Sequence, residues 1–330
     1  MRADIRFIAL LIFLFAQGIS TALAQRPLSP EVEAFIGEMA QKHQFEPGML
    51  RRLFAQVQPR PAIIRAVSAP LTARPWHEFR VRYVDAARIN GGVAFWRQHA
   101  ATLEKASREF GVPEEIIVAT IGVETIYGRN TGNFRVLEAL ATLAFHYPPR
   151  AELFRAELEQ YLLLAREGGF DTMKVLGSYA GAIGIPQFLP SSYRRYAVDF
   201  DGDGRRDLVG TTADAIGSVA NYYRTHGWRA GEPIAVPAEV TGNDVDALLE
   251  AGIKPRLKLA ELNRHGVAPL AAVGEGAEAA LFVVETEAGP RYWLGLNNFY
   301  VITRYNRSIN YALAVYELAR ELRARVKAES

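Results

Sequence analysis

The stretch that decides the fold is Ile116-Ile-Val-Ala-Thr-Ile-Gly-Val-Glu-Thr-Ile-Tyr-Gly128. Pro113 precedes it, and proline suits the first turn of a helix because the amide hydrogen that it lacks has no partner there. The spacing predicts a helix from about Pro113 to Tyr127, the most apolar helix of the chain. Because this helix is apolar nearly all round, Glu124 has no polar stripe to occupy.

Glu124 is therefore a candidate catalytic acid. Ile117, Thr120 and Ile121 lie seven, four and three positions before it, so its side chain shares an apolar helix face. Most glutamates on helices are solvated surface residues, and spacing alone leaves that interpretation open. A carboxyl group desolvated by apolar neighbours instead has a raised pKa and stays protonated near neutral pH. That protonated state is what a general acid needs to cleave a glycosidic bond.

The pattern around this stretch predicts a mainly helical α+β protein. Apolar residues at helical spacing indicate further helices at 30–39, 50–57, 91–110, 136–145, 153–165, 213–225 and 309–326. After Trp228 the composition favours strands, at 281–286 and 291–294, with 299–305 as a candidate extension. We expect a helical body at 25–231, a small β-rich subdomain at 232–298, and a return to the body at 299–330.

The N-terminus has the features of an export signal. Arg2 and Arg6 precede an apolar run at 7–16, and residues 22–24 form an Ala-x-Ala site that predicts cleavage near Ala24. The alternative is an uncleaved anchor or a buried helix, although the run is short for a membrane span of about twenty residues. We expect residues 1–24 to be removed and the protein to be periplasmic.

Composition excludes several classes of function. The sequence contains no cysteine, so it has no disulfide, thiol nucleophile or thiolate metal site, and no residue that could carry a bacterial lipid anchor. The formal net charge of +2 is too small to imply nucleic-acid binding. Motifs of phosphate loops, dinucleotide folds, serine hydrolases and zinc proteases are missing from the sequence.

An acidic loop at 199–214 is the sharpest local motif. Asp199, Asp201 and Asp203 stand at positions 1, 3 and 5 of a calcium-loop pattern, and a glycine follows at position 6. Position 12 is Gly210 where a glutamate is usual, and Asp214 is a candidate for the missing carboxylate from a longer loop. An ordinary acidic turn is the alternative. We expect a structural Ca²⁺ or Na⁺ here and no cofactor for the chemistry.

Six motifs in order along the mature chain resemble the lytic murein transglycosylase B family. They are Gly122-Val-Glu-Thr125, Ala139-Leu-Ala-Thr-Leu143, Gly177-Ser-Tyr-Ala-Gly-Ala-Ile-Gly184, Gln187-Phe-Leu-Pro-Ser-Ser-Tyr193, Asp214-Ala-Ile-Gly-Ser-Val-Ala-Asn-Tyr222 and Phe299-Tyr-Val-Ile-Thr-Arg-Tyr-Asn306. The resemblance implies a lysozyme-like helical body with a small β domain. It also implies cleavage between N-acetylmuramic acid and N-acetylglucosamine in peptidoglycan, leaving a 1,6-anhydro-muramoyl end.

The same resemblance assigns roles to individual residues. Glu124 would be the only catalytic carboxyl group, Ser178 would orient the muramoyl acetamido group, and Arg150 would face the peptide or lactyl side. The sugar subsites would be lined by Gln187, Tyr222, Tyr305, Asn306 and Tyr311. The ion-loop ligands would be Asp199, Asp201, Asp203 and Asp214. The expected partners are peptidoglycan glycan strands, with cell-wall synthases as further candidates.

The chain departs from the family pattern at three places. Pro149-Arg150 replaces a pair of arginines, Phe79 stands where a subsite tyrosine is expected, and the loop before Asp214 is one residue longer. Two other functions stay open at this point. One is a muramidase that uses water, and the other is a peptidoglycan-binding protein without catalysis.

Overall fold

The structure, a computed structural model, describes residues 27–68, 74–242, 245–274 and 276–329. The predicted signal peptide at 1–24 lies outside these residues. The described residues divide into two compact units, one before and one after the boundary between Gln56 and Val57. The proposed boundaries at 231 and 298 fall inside the second unit, so that finer division stays a prediction. No helix within the described ranges is both long enough and apolar enough to cross a membrane.

The described part of the first unit is a pair of helices, α1 (Pro30–His43) and α2 (Pro47–Phe54). Ser29 caps α1, because its hydroxyl accepts a hydrogen bond from the amide of Val32. The rings of Phe35 and Phe54 meet edge to face with centroids 5.9 Å apart. The two helices therefore share a small apolar contact.

Helices form most of the second unit. They are α3 (Pro61–Val67), α4 (Trp76–Tyr83), α5 (Ala86–Gln98), α6 (Ala100–Phe110), α7 (Glu114–Thr125), α8 (Val136–His146), α9 (Ala151–Gly168), α10 (Pro190–Tyr196), α11 (Thr212–Thr225), α12 (Asp246–Glu250), α13 (Leu259–Arg264), α14 (Asn297–Tyr305) and α15 (Ile309–Ala328). The strands are β1 (Phe134–Arg135), β2 (Leu176–Gly177), β3 (Ala235–Val240), β4 (Leu257–Lys258), β5 (Val267–Pro269), β6 (Glu278–Thr286) and β7 (Gly289–Gly295). The predicted mainly helical α+β class is confirmed.

Helix α7 is the buried centre of this unit. Every residue from Ile116 to Val123 is buried, and α5, α6, α11 and α15 pack around the helix. A helix that is apolar on all sides is stable only when other elements cover it on all sides. The helix ends earlier than the apolar pattern predicts, since Ile126 already has a left-handed backbone.

The larger sheet is antiparallel and contains five strands in the order β4-β6-β7-β3-β5. Leu294 lies opposite Leu281 on one side and Val236 on the other, and this register sets the core of the sheet. Phe282 of β6 stacks on Phe299 of α14 with centroids 4.6 Å apart. The sheet is thereby attached to the helix that leads back to α15 and to the residues around Glu124.

Two predictions about these elements are wrong. Residues 299–305 belong to α14 and do not extend the sheet, because Phe299 and Ile302, one helical turn apart, are both fully buried. Their β-branched and aromatic composition reflects burial. The single helix predicted at 91–110 is two helices, α5 and α6, which meet at His99, whose backbone is not helical.

Gly132 provides a test of how β1 and β2 are held together. Its φ is +96°, and an added Cβ would lie 2.1 Å from the carbonyl oxygen of Gly177. Gly169 also has a positive φ, +64°, but an added Cβ there meets nothing within 4 Å. We predict that Gly169→Ala costs about 1 kcal/mol, the usual strain of a left-handed alanine. Gly132→Ala should lower the free energy of unfolding by about 2 kcal/mol more, because the clash is with backbone.

Urea unfolding of the two variants, monitored by circular dichroism, measures both effects. Equal losses in the two variants would contradict the close packing of β2 on Gly132.

Candidate active site

Glu124 lies in the last turn of α7, with its carboxyl group facing α15. The hydroxyl of Tyr311, in the first turn of α15, donates a hydrogen bond of 2.6 Å to its Oε1. Burial raises the pKa of Glu124 to about 7, and the Tyr311 hydrogen bond opposes that rise. The side chain keeps partial access to solvent. Glu124 is thus a carboxylic acid that still holds its proton near neutral pH and that a ligand can reach.

The chain directly after Glu124 turns sharply. Ile126 and Tyr127 have left-handed backbones, with φ of 52° and 62°, which are costly for side chains of these types. Thr125 holds the turn: its hydroxyl donates to the carbonyl oxygen of Ile185 at 2.8 Å and accepts from the amide of Gly128 at 2.9 Å. This turn ends α7 directly beyond Glu124 and ties it to the loop that carries Gln187.

Arg88 of α5 supports the same helix end from another direction. Its Nε donates to the carbonyl oxygen of Gly122 at 3.1 Å, and its Nη1 pairs with Asp85 at 2.6 Å. Its own carbonyl oxygen accepts a 2.7 Å hydrogen bond from the hydroxyl of Tyr127. Arg88 and Thr125 were not predicted as site residues, because both act through contacts that are distant in the chain.

A buried hydroxyl pair lies one helical turn before Glu124. Thr120 donates to the carbonyl oxygen of Ile116 at 2.7 Å, and its hydroxyl lies 2.8 Å from that of Tyr223. With its own proton used, Thr120 accepts from Tyr223. Tyr223 was also missed, although its place beside the predicted Tyr222 was an available signal.

The predicted tyrosines come together around Glu124. Tyr305 stacks on Tyr311 with centroids 6.3 Å apart, and Tyr222 lies 4.8 Å from Tyr305. The hydroxyl of Tyr222 donates to the carbonyl oxygen of Arg304 at 2.6 Å, and that of Tyr305 donates to the carbonyl oxygen of Pro186. Their hydroxyl protons are thus already used within the protein.

Ser178 and Gln187 present complementary hydrogen-bonding groups. The hydroxyl oxygen of Ser178 accepts from the amides of Ala180 and Ala182, at 3.2 and 3.0 Å, so its proton remains free to donate. The amide nitrogen of Gln187 donates to the carbonyl oxygens of Thr131 and Gly184, at 3.0 and 2.9 Å. Its carbonyl oxygen has no hydrogen-bond partner among the described residues and remains able to accept one.

The other predicted sugar-site residues have looser environments. Asn306 is exposed at the end of α14, directly after Tyr305. Arg150 is exposed, and its guanidinium lies 5.4 Å from the ring centroid of Phe154. Among the described residues, neither of these two side chains forms a hydrogen bond with Glu124. Phe79 is buried and stacks on Tyr83, so it offers no polar group to the site.

The acidic loop brings three of its four predicted ligands together. Carboxylate oxygens of Asp199, Asp201 and Asp203 lie within 4.8 Å of one another and are exposed. Asp214 is buried in the first turn of α11 and stands outside this group. Its two oxygens accept hydrogen bonds of 2.7 Å from the amides of Phe200 and Asp207. Asp214 thus holds the loop at Phe200 and again at Asp207, and its part in binding an ion stays a prediction.

Comparison with known proteins places this arrangement in a family. Residues 28–320 match the model of the Transglycosylase SLT domain. The chain belongs to this family. It is 42% identical over 300 residues to membrane-bound lytic murein transglycosylase B of Escherichia coli K12, covering 88% of this chain and 82% of that protein. The predicted family and lytic transglycosylase activity are confirmed.

Solved structures agree with this placement. Catenated lytic transglycosylase SltB1 of Pseudomonas aeruginosa superposes with a TM-score of 0.85 at 47% identity, covering 91% of this chain and 99% of that one. The lytic transglycosylase Slt35 of Escherichia coli in complex with calcium gives 0.83 at 40% identity, covering 90% and 94%. The predicted lysozyme-like fold class is confirmed.

The raised pKa of Glu124 has a measurable effect on stability. A folded pKa of about 7 against an ordinary value of 4.5 means that the folded state holds this proton more tightly than the unfolded state. Stability should therefore fall as the pH rises from about 4.5 to about 7 and stay reduced above that range. Glutamine cannot ionise, so Glu124→Gln should be free of this loss.

We predict that Glu124→Gln becomes more stable relative to wild type as the pH rises. The free energy of unfolding of the variant minus that of wild type should increase by about 2 kcal/mol between pH 5 and pH 8. This figure is below the full effect of the pKa shift because the side chain is partly accessible. Urea unfolding at both pH values measures the difference. A difference between the two proteins that did not change with pH would contradict the assignment.

Proposed function

We propose that the chain cleaves the glycosidic bond between N-acetylmuramic acid and N-acetylglucosamine in peptidoglycan, with Glu124 as acid and then as base. The observation that carries this proposal is the pKa of Glu124, which burial raises to about 7. No other carboxyl group among the described residues contributes to that shift. A single carboxyl group fits a reaction in which the sugar supplies its own nucleophile, whereas retaining hydrolases use two carboxyl groups about 5–5.5 Å apart.

The reaction balances with this one group. Glu124 gives its proton to the bridging oxygen while the bond from that oxygen to C1 of the muramoyl residue breaks. The acetamido carbonyl oxygen stabilises the positive charge that develops at C1. The Glu124 carboxylate then removes the proton from the 6-hydroxyl as its oxygen bonds to C1. The anhydro ring is closed, and Glu124 has its proton back.

Ser178 and Gln187 suit an acetamido group by their hydrogen bonding. Ser178 has a hydroxyl proton to donate to the carbonyl oxygen, and Gln187 has a carbonyl oxygen to accept from an N–H or a sugar hydroxyl. The rings of Tyr222, Tyr305 and Tyr311 supply aromatic surface beside Glu124. We infer that Asn306 lines a sugar subsite and that Arg150 faces the peptide or lactyl side; the side chains of both are exposed.

Location and partners follow from the same proposal. The substrate lies in the bacterial envelope, and the N-terminal pattern at 1–24 favours export to the periplasm with removal of the signal. Glycan strands would be the partner, and cell-wall synthases are candidates for a further one. Attachment to the membrane by a lipid is not expected, because the sequence contains no cysteine.

The decisive variant is Glu124→Gln, which keeps the shape of the side chain and removes the acidic proton of the carboxyl group. We predict a loss of anhydro-muropeptide release from purified sacculi of about 10³-fold, the range of general acid–base catalysis. Mass spectrometry of the products measures it. Glu109→Gln on the exposed surface of α6 is the matched control and should keep wild-type activity.

The products also separate the alternatives. An anhydro end is lighter by one water than the hydrolytic product of a muramidase. Products that carried the extra water would replace the proposal by hydrolysis, and undiminished release by Glu124→Gln would remove Glu124 from the mechanism. Binding of sacculi without release of products by wild type would favour the non-catalytic alternative.

We propose that the acidic loop binds a structural Ca²⁺ or Na⁺. Its oxygen donors fit a hard cation: carboxylate oxygens of Asp199, Asp201 and Asp203 converge, and the related Slt35 is described in complex with calcium. An ion there would hold the three carboxylates together and so stabilise the turn of the loop that precedes α11. Asp214, buried below the turn, would hold the loop in shape whether or not it contacts the ion.

Removal of the ion should lower stability, because a ligand bound only to the folded state stabilises it. We predict that a chelator lowers the melting temperature of wild type by a few degrees and that added CaCl₂ restores it. Asp201→Asn should weaken the response, and Asp171→Asn, an exposed aspartate away from the loop, should leave it intact. Identical melting of wild type in chelator, NaCl and CaCl₂ would show that the loop holds no stabilising ion.

A further inference from the structure

Tyr83, the last residue of α4, belongs to a row of aromatic side chains on one face of that helix. Its ring stacks on Phe79 with centroids 4.4 Å apart and planes 23° apart. Phe79 in turn stacks on Trp76 with centroids 6.4 Å apart. Trp76 and Phe79 are buried, whereas Tyr83 is only partly buried. The row thus runs from the core towards the surface and ends in a phenol group.

Arg88 places this phenol beside the catalytic helix. Its guanidinium carbon lies 5.1 Å from the centroid of the Tyr83 ring, a cation–π contact. The same guanidinium donates to the carbonyl oxygen of Gly122, two residues before Glu124. Only 12% of the Arg88 side chain is exposed, so the group that connects Tyr83 to α7 is itself fixed.

The charge of Glu124 is among those that act on the hydroxyl of Tyr83. Burial raises the pKa of Tyr83, the positive charges of Arg82 and Arg88 lower it, and Glu124 and Tyr179 raise it further. Tyr179 directly follows Ser178, which we assign to the acetamido group. The hydroxyl of Tyr83 is thus within electrostatic range of Glu124 and of the loop that carries Ser178.

This hydroxyl differs from the other tyrosine hydroxyls at the site in having no hydrogen bond within the described chain. Those of Tyr127, Tyr222, Tyr305 and Tyr311 donate to the protein. A phenol held by stacking on its ring, with its polar end unpaired, has both a donor and an acceptor to offer a ligand.

We propose that the hydroxyl of Tyr83 hydrogen-bonds a hydroxyl or acetamido group of the amino-sugar strand that is bound at Glu124. The inference rests on the function proposed above and adds a glycan-contacting residue to it. The ring of Tyr83 is fixed by Phe79 and Arg88, so little freedom is lost when the contact forms.

Tyr83→Phe separates the hydroxyl from the ring. It keeps the stacking on Phe79 and the contact with Arg88, so the melting temperature should not change. Binding is best measured in the Glu124→Gln background, which cannot turn over, by calorimetric titration with the tetrasaccharide (GlcNAc-MurNAc)₂. We expect Tyr83→Phe to weaken binding about 5-fold, as loss of one hydrogen bond does.

Tyr292→Phe in the same background is the matched control. Tyr292 lies on β7, is also partly buried, and its hydroxyl has no hydrogen bond within the described chain. Removal of the Tyr292 hydroxyl should leave tetrasaccharide binding unchanged. Equal affinity of the Tyr83→Phe protein and its Glu124→Gln parent would overturn the proposal.

Kinetics distinguish contact with the glycan from an effect through Glu124. In the otherwise wild-type protein, Tyr83→Phe should raise KM and leave the midpoint of the pH profile in place. A shifted pH midpoint with unchanged binding would mean that Tyr83 acts on the carboxyl group, and it too would overturn the proposal. If the Glu124→Gln parent did not bind the tetrasaccharide and wild type released no anhydro product, the proposed function itself would fail, and this inference with it.

Discussion

Removal of the Glu124 carboxyl from water is the constraint on which the rest of the structure depends. Burial raises its pKa to about 7, and the Tyr311 hydrogen bond opposes that rise. If burial were weaker, the carboxyl would be ionised at neutral pH and could not begin the reaction as an acid. If it were complete, no glycan could reach it. The fold therefore buries the carboxyl on one side and leaves it open on another.

The elements around Glu124 maintain this balance through contacts between residues that are far apart in the sequence. Helix α15 brings Tyr311, α5 brings Arg88 to the carbonyl oxygen of Gly122, and the loop at Ile185 receives the hydroxyl of Thr125. The left-handed residues after Glu124 are costly and persist because these contacts determine the turn. The same contacts end α7 one residue after Glu124, so that Glu124 lies in its last turn.

Local patterns in the sequence predicted the parts of the structure that local forces decide. The apolar spacing of α7 and the strands β6 and β7 are examples. Residues 299–305 were misassigned because Phe299 and its neighbours have the composition of a strand, which reports burial and not backbone shape. Tyr311 was assigned to the site only through family resemblance, since 187 positions separate it from Glu124. Arg88, Thr125 and Tyr223 were assigned no role, because their contacts join positions that are distant in the chain.

The most direct test is the titration of the Glu124 carboxyl itself. Carbon NMR of protein labelled at the glutamate carboxyl carbon, with the Glu124→Gln spectrum to assign the signal, reports its protonation at each pH. We predict a midpoint near 7. A midpoint near 4.5, the ordinary value, would mean that the carboxyl is ionised at neutral pH and would contradict the role of Glu124 as the acid that starts the reaction.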